Sequence, residues 1–179
     1  EGPLKTSGTA PYAYERHDAV PNQAYGFIVG SAIAKGRIAS IDLAEAKAAP
    51  GVLAIVTAAS AGTLGKGDFN TARLLGGPEI QHYHQAIAIV VAESFEQARA
   101  AAGLVRVQYT RVKGNFDLAS SLDGAIKPPA FFGTEPDSSF GDFDAAFASA
   151  PVKLDEYYTT PDHSHAMMEP HASIASWDG

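Results

Sequence analysis

Residues 26–33 are apolar and partly β-branched, Gly36-Arg37 interrupts them, and residues 38–41 resume the apolar run. That succession predicts two strands joined by a tight turn at Lys35-Gly36. Asp42 with Glu45 three positions on is a capping pattern for a short helix, which Pro50-Gly51 ends. Residues 52–57 then run apolar without alternation, which predicts a strand central to a sheet. Residues 86–92 predict a second buried strand. Ser94 and Gln97 form a capping box ahead of Phe95, Ala98, Ala102 and Val105, which recur near helical spacing, and Gly103 closes that helix. Val105, Val107 and Tyr109 alternate with Arg106, Gln108 and Thr110, the mark of a strand with one wet face.

Elsewhere the chain is punctuated. Residues 1–24, broken at Ser7-Gly8 and Pro21-Asn22, predict an extended arm. Residues 61–78 carry Gly62, Gly65, Gly67, Gly76 and Gly77, with Asp68, Asn70 and Arg73 among them, and predict a long surface loop. Residues 113–141 form a connector rich in Pro and Gly, with one helical turn expected near Leu118 to Leu122. Asp142 caps a further short helix bearing Phe143, Ala146, Phe147 and Ala150 on one face, and Pro151 closes it. Residues 152–160 are expected to be extended, and Pro161-Asp162 marks a boundary. Residues 172–177 predict a strand leading into Asp178-Gly179, a strong hairpin turn. A strand cut at its own turn suggests a piece of a longer polypeptide. The expected organisation is an arm (1–24), an α+β domain of mixed sheet and short helices (25–160), and the first strand of a truncated second domain (161–179).

Composition narrows the chemistry. Hydrophobic residues make up 46% and charged residues 18% of the 179 positions, so a packed core is expected rather than disorder. A formal charge of −7 with scattered Lys and Arg argues against nucleic acid or an anionic membrane as partner. No apolar run reaches the length of a membrane span. The absence of cysteine removes disulfides, cysteine-ligated iron–sulfur clusters, thiolate zinc sites and thiol nucleophiles together.

Four constellations are candidate sites. His82-x-His84 and His163-x-His165 would each place both rings on one face of a strand, and Glu169 and His171 could complete a metal set; hydrogen-bonding histidines at a junction are the better explanation. The stretch Gly62-Thr63-Leu64-Gly65-Lys66-Gly67-Asp68 has glycines suited to phosphate. It lacks the Lys-Ser/Thr that should lead into a helix, and Asp68 would repel the ligand. Asp162, His163, Ser164 and His165 are neighbours in sequence, which does not make a triad. Phe131, Phe132, Phe140, Phe143 and Phe147 are mostly expected in the core, the first two being candidates to cover a neighbouring domain. No catalytic, cofactor-binding or metal-binding residue is assigned.

Three stretches carry a family resemblance. Gly2-Pro3-Leu4-Lys5-Thr6-Ser7-Gly8-Thr9-Ala10 with Tyr12-Ala13-Tyr14, residues 86–94 leading into Glu96-Gln97-Ala98-Arg99-Ala100-Ala101, and Met168-Glu169-Pro170-His171-Ala172 together resemble the molybdopterin-binding large subunits of the xanthine dehydrogenase and aldehyde oxidase family. Asn70-Thr71-Ala72-Arg73-Leu74-Leu75-Gly76-Gly77 and His82-Tyr83-His84-Gln85 are similar to the bacterial periplasmic aldehyde oxidoreductases within it. The resemblance implies an α/β-hammerhead domain followed by the start of a molybdopterin domain. It implies oxidative hydroxylation of aldehydes or N-heterocycles by the whole enzyme, with a molybdopterin cofactor in the full-length subunit and iron–sulfur clusters and FAD in partner subunits. The family's glycine motif for the cofactor, its substrate-orienting arginine and its catalytic glutamate have no matching positions here, so Glu169 is given no catalytic role and the fragment is expected to be inactive alone and to hold no cofactor. The loop over residues 61–78 is expected to border a substrate funnel or a subunit interface. By the same analogy the location is periplasmic, reached with a partner subunit's signal, with cytoplasmic as the alternative. A standalone protein-interaction module is the alternative from another class.

Overall fold

In the apolar stretch Ala86–Ala92, β5, neither face has a polar side chain to offer to water, and the strand lies at the centre of a sheet. The computed structural model describes residues 2–17, 19–65 and 75–177. Strand β5 is flanked by β1 (Tyr25–Gly30) and β3 (Val52–Thr57), both antiparallel to it, in the order β1-β5-β3. Val90 is fully buried between Phe27 and Ile55 in register. Burying such a side chain contributes about 1.5–3 kcal/mol. Strand β3, expected at a sheet centre, is instead an edge, with Leu53 and Ala54 exposed. Its unbroken apolar run does not by itself distinguish an edge from a centre.

A second sheet has the order β4-β2-β6, from β2 (Gly36–Asp42), β4 (Glu79–Ile80) and β6 (Arg106–Arg111). Every pairing among the described residues is antiparallel, where a mixed sheet was expected. The two strands foreseen around Lys35-Gly36 both exist, but they do not pair with each other. Strand β1 belongs to the first sheet and β2 to the second, so the turn carries the chain between sheets. The strand–helix–strand unit likewise keeps its elements while β5 and β6 lie in different sheets.

Helix α3 (Phe95–Ala102) packs on the β1-β5-β3 sheet through Ala98 and Ala101, both fully buried, and through the Phe95 ring, whose centroid is 5.7 Å from that of Phe27. Its start keeps half of the expected capping box: Ser94 Oγ accepts from the Gln97 N–H at 3.3 Å, but the buried Gln97 Oε1 does not return a bond to the Ser94 N–H. Replacing Ser94 by alanine is expected to destabilise the unit by about 1 kcal/mol in thermal unfolding, and no change would show that water serves the helix end equally well. Helix α2 (Ala44–Ala48) is introduced by Asp42, whose Oδ1 accepts from the Ala44 N–H at 2.9 Å. Glu45 turns outward to Arg106, 3.4 Å away, instead of closing a box.

The N-terminal residues are not extended throughout. Helix α1 (Gly2–Thr6) is closed by Thr6 and Ser7 hydroxyls donating to the Pro3 carbonyl, and a 3₁₀ turn (Ala13–Glu15) sets Tyr14 edge-on to Phe95 at 5.8 Å.

The chain divides into two compact units, one of residues Glu1–Asn115 with Glu169–Gly179, the other Phe116–Met168. The second contains a 3₁₀ segment (Ala119–Gly124) and α4 (Phe143–Ser149), capped as foreseen by Asp142 Oδ1 accepting from the Ala145 N–H at 3.0 Å. No residue of this unit is buried. The phenylalanines expected in a core are therefore not in one: Phe131, Phe132, Phe140 and Phe143 are exposed and Phe147 is half-buried, stacked on Phe143 at 5.4 Å. One short helix and irregular chain offer no second layer to enclose them. Residues 172–177 form no strand, because no described residue pairs with them, and a lone strand leaves its backbone groups unmatched.

Candidate functional site

Only two polar side chains among the described residues are buried, and they lie together. Ser31 follows β1 and Gln85 precedes β5, each about 1% exposed. A polar group removed from water needs partners, and these have them. The Gln85 carboxamide accepts from the Gln81 N–H at 2.8 Å and donates to the Glu79 carbonyl at 3.1 Å. The Ser31 hydroxyl lies 3.0 Å from the Ile33 carbonyl and 3.1 Å from that of His82. Main chain completes the knot: the Ser31 N–H donates to the Gln85 carbonyl at 2.9 Å and the His84 N–H to the Ser31 carbonyl at 3.0 Å. Ile33, Ile80 and Ile87 form the apolar floor, with Val29, Ile38, Val107 and Tyr109 against them.

The knot organises backbone of unusual conformation. His84 has φ +61° and Leu75 φ +48°, values that non-glycine residues adopt seldom. Both are held: the Leu75 N–H donates to the Ala86 carbonyl at 3.1 Å, and the His84 ring covers Gly30, where an added Cβ would meet ring carbons at 2.5 and 2.6 Å. Neither the Ser31 hydroxyl nor the Gln85 carboxamide ionises in the ordinary pH range, so these two side chains position backbone and do not themselves carry protons.

The histidine pairs do not assemble into a ligand set. His82 and His84 lie in the turn between β4 and β5, not on a strand, so alternation does not put their rings on one face; His82 Nδ1 instead meets the Tyr83 carbonyl at 2.9 Å. His163, His165, Glu169 and His171 are exposed on irregular chain, and no group of three or more metal-binding side chains converges among the described residues. Asp162, His163, Ser164 and His165 share that exposed stretch. The glycine-rich stretch is described only as far as Gly65; Lys66 to Asp68, and Asn70, Thr71, Ala72, Arg73 and Leu74 of the resemblance, lie outside the described residues. Gln85 ends the His82-Tyr83-His84-Gln85 stretch, yet sequence pattern alone does not reveal that it is buried. A lone glutamine before an apolar strand, with glycine and serine at the end of the strand it pairs with, was the available signal.

Two antiparallel sheets joined through such a junction, with one covering helix, define a class. Residues 9–113 match the aldehyde oxidase and xanthine dehydrogenase a/b hammerhead domain, and residues 125–179 match the molybdopterin cofactor-binding domain. The chain belongs to the aldehyde oxidase and xanthine dehydrogenase family. It is 64% identical, over all its length, to the aldehyde oxidoreductase molybdenum-binding subunit PaoC of Escherichia coli strain K12, and spans 24% of that subunit. Among solved structures, it is similar to the reconstituted CO dehydrogenase from Oligotropha carboxidovorans (TM-score 0.61, 27% identity, 84% of this chain and 21% of that one). It is also similar to the aldehyde oxidoreductase from Desulfovibrio gigas (TM-score 0.59, 26% identity, 83% and 18%). The expected α+β hammerhead is thus the fold.

Proposed function

We propose that these residues form the scaffold at the N-terminal side of a molybdenum-dependent oxidoreductase subunit that hydroxylates aldehydes or N-heterocycles. The observation that carries this reading is the 64% identity to the E. coli molybdenum-binding subunit along the entire chain. The family domain at residues 125–179 indicates a molybdopterin cofactor for the whole subunit. The described residues do not themselves fit that group: residues 125–177 bury no side chain that could line a cradle, and the two buried polar side chains already have partners inside the knot. No step of the reaction is assigned to residues in this chain, and the isolated chain is expected to be inactive.

The same reading supplies a cover for the apolar side chains of the second unit. Phe140, Tyr157 and Met168 are fully exposed, and so many large apolar side chains left to solvent call for a cover. The remainder of the subunit is the proposed cover, and iron–sulfur and FAD subunits are the proposed electron-transfer partners. Support for partner subunits comes from relatives such as the 6-hydroxypseudooxynicotine dehydrogenase complex subunit gamma of Paenarthrobacter nicotinovorans, named for its complex.

The test is aldehyde-dependent dye reduction with molybdenum quantified alongside. The complete polypeptide, co-produced with its partners, is expected to hold molybdenum and turn over, while the 179-residue chain holds none and does not. A complete, metal-loaded polypeptide inert toward aldehydes and N-heterocycles would refute the assigned activity. Turnover by the short chain would refute the scaffold role.

A further inference from the structure

We infer that Gln85, with Ser31, is a latch that fixes the junction of the two sheets and holds the turn from Gln81 to Gln85 in a single geometry. The two side chains bridge elements of different sheets. Ser31 and Gln85 terminate β1 and β5 of one sheet, whereas Glu79, whose carbonyl receives the Gln85 amide at 3.1 Å, belongs to β4 of the other. The Gln85 oxygen meanwhile holds the Gln81 N–H at 2.8 Å, just past the end of β4. One carboxamide thus closes the turn it terminates and ties its own sheet to the neighbouring one.

Among the described residues strand pairing does not join the sheets, because no strand of one pairs with a strand of the other. What joins them here is the apolar floor, which is non-directional, and the hydrogen bonds above it, which are directional. An apolar plug alone would permit small rotations of one sheet on the other; the carboxamide and hydroxyl select one. The left-handed backbone of His84 is consistent with that selection. An uncommon conformation persists where its surroundings over-determine it, and His84 is held by its N–H to Ser31 and by its ring against Gly30.

The test is hydrogen exchange on the complete polypeptide carrying Gln85→Leu or Ser31→Ala, with the wild type beside it. Leucine fills similar space but neither accepts from Gln81 nor donates to Glu79. The amides of Gln81, His84 and Ser31 are expected to exchange about tenfold faster or more in Gln85→Leu, as loss of a buried hydrogen bond implies. Those of Ile89 and Val90 in the sheet centre should keep their protection. Ser31→Ala, the milder change, is expected to speed Gln81 and His84 by a smaller factor, and Gln85→Asn, with its shorter reach, not to restore protection. Unchanged exchange at Gln81 and His84 in Gln85→Leu overturns the latch. If Gln85→Leu instead loses protection everywhere, Ser31→Ala decides: local loss upholds the latch, and protection equal to wild type overturns it.

Discussion

Replacing Gly36 with alanine is expected to destabilise the two-sheet unit by at least about 3 kcal/mol, enough to unfold a marginal domain. Gly36 opens β2 with φ +147°, a conformation that side chains strongly disfavour. It is also buried, and its environment has no space. A Cβ would run into the Thr110 carbonyl oxygen of β6, with Ile33 Cδ1 at 2.9 Å and Arg111 Cα at 3.1 Å. The side-chain methyl of Ile33 could move, but the β6 backbone could move only by breaking its ladder with β2, in which Gly36 stands opposite Arg111. Backbone strain and a clash with backbone therefore add. Thermal unfolding of wild type and Gly36→Ala checks this; a melting temperature within a degree or two of wild type would mean that the ladder slips to make room.

Limited proteolysis is expected to attack the second compact unit first. Chymotrypsin should cut the 179-residue chain first between Phe116 and Tyr158, at Phe116, Phe131, Phe132, Phe140, Tyr157 and Tyr158, at least about tenfold faster than within β1 to β6. Exposure drives the choice: each of those aromatics is exposed, and no residue of 116–168 is buried. In the complete polypeptide the same sites should resist, since the proposed cover would bury them. Mass spectrometry of the early fragments gives both answers. Early cuts inside β5 or α3 would contradict the division into units, and equal susceptibility of residues 116–168 in the complete polypeptide would contradict the cover.

Elements dominated by local chemistry were legible in the sequence. The Ser94 cap and the Asp142 cap are settled within three residues of chain, and both are made by the foreseen side chain. The alternation of Val107 and Tyr109 with Arg106 and Gln108 likewise matches their half-buried and exposed places in β6. Sheet membership was not legible, because it depends on partners distant in sequence. Residues 52–57 carry as apolar a run as residues 86–92, yet among the described residues only the latter finds a strand on each side. The aromatic cluster misled for a related reason: apolar character signals a wish to be covered, and Phe140 and Tyr157 have no cover within the described residues. The candidate site was hardest to see. Gln85 looks like any polar residue before a strand until the fold brings Glu79, Gln81 and Ser31 around it.

The order β1-β5-β3 has a consequence for the nascent chain. The middle strand is the last of the three to be synthesised, so when β1 and β3 have both left the ribosome neither has the neighbour it will pair with. Two apolar segments must wait, unpaired, until Ala92 has emerged, and the sheet then forms by long-range closure, which is the slow kind. That interval is when this chain is most open to association with other chains, and it sets the length of nascent polypeptide over which a chaperone would have the most to protect.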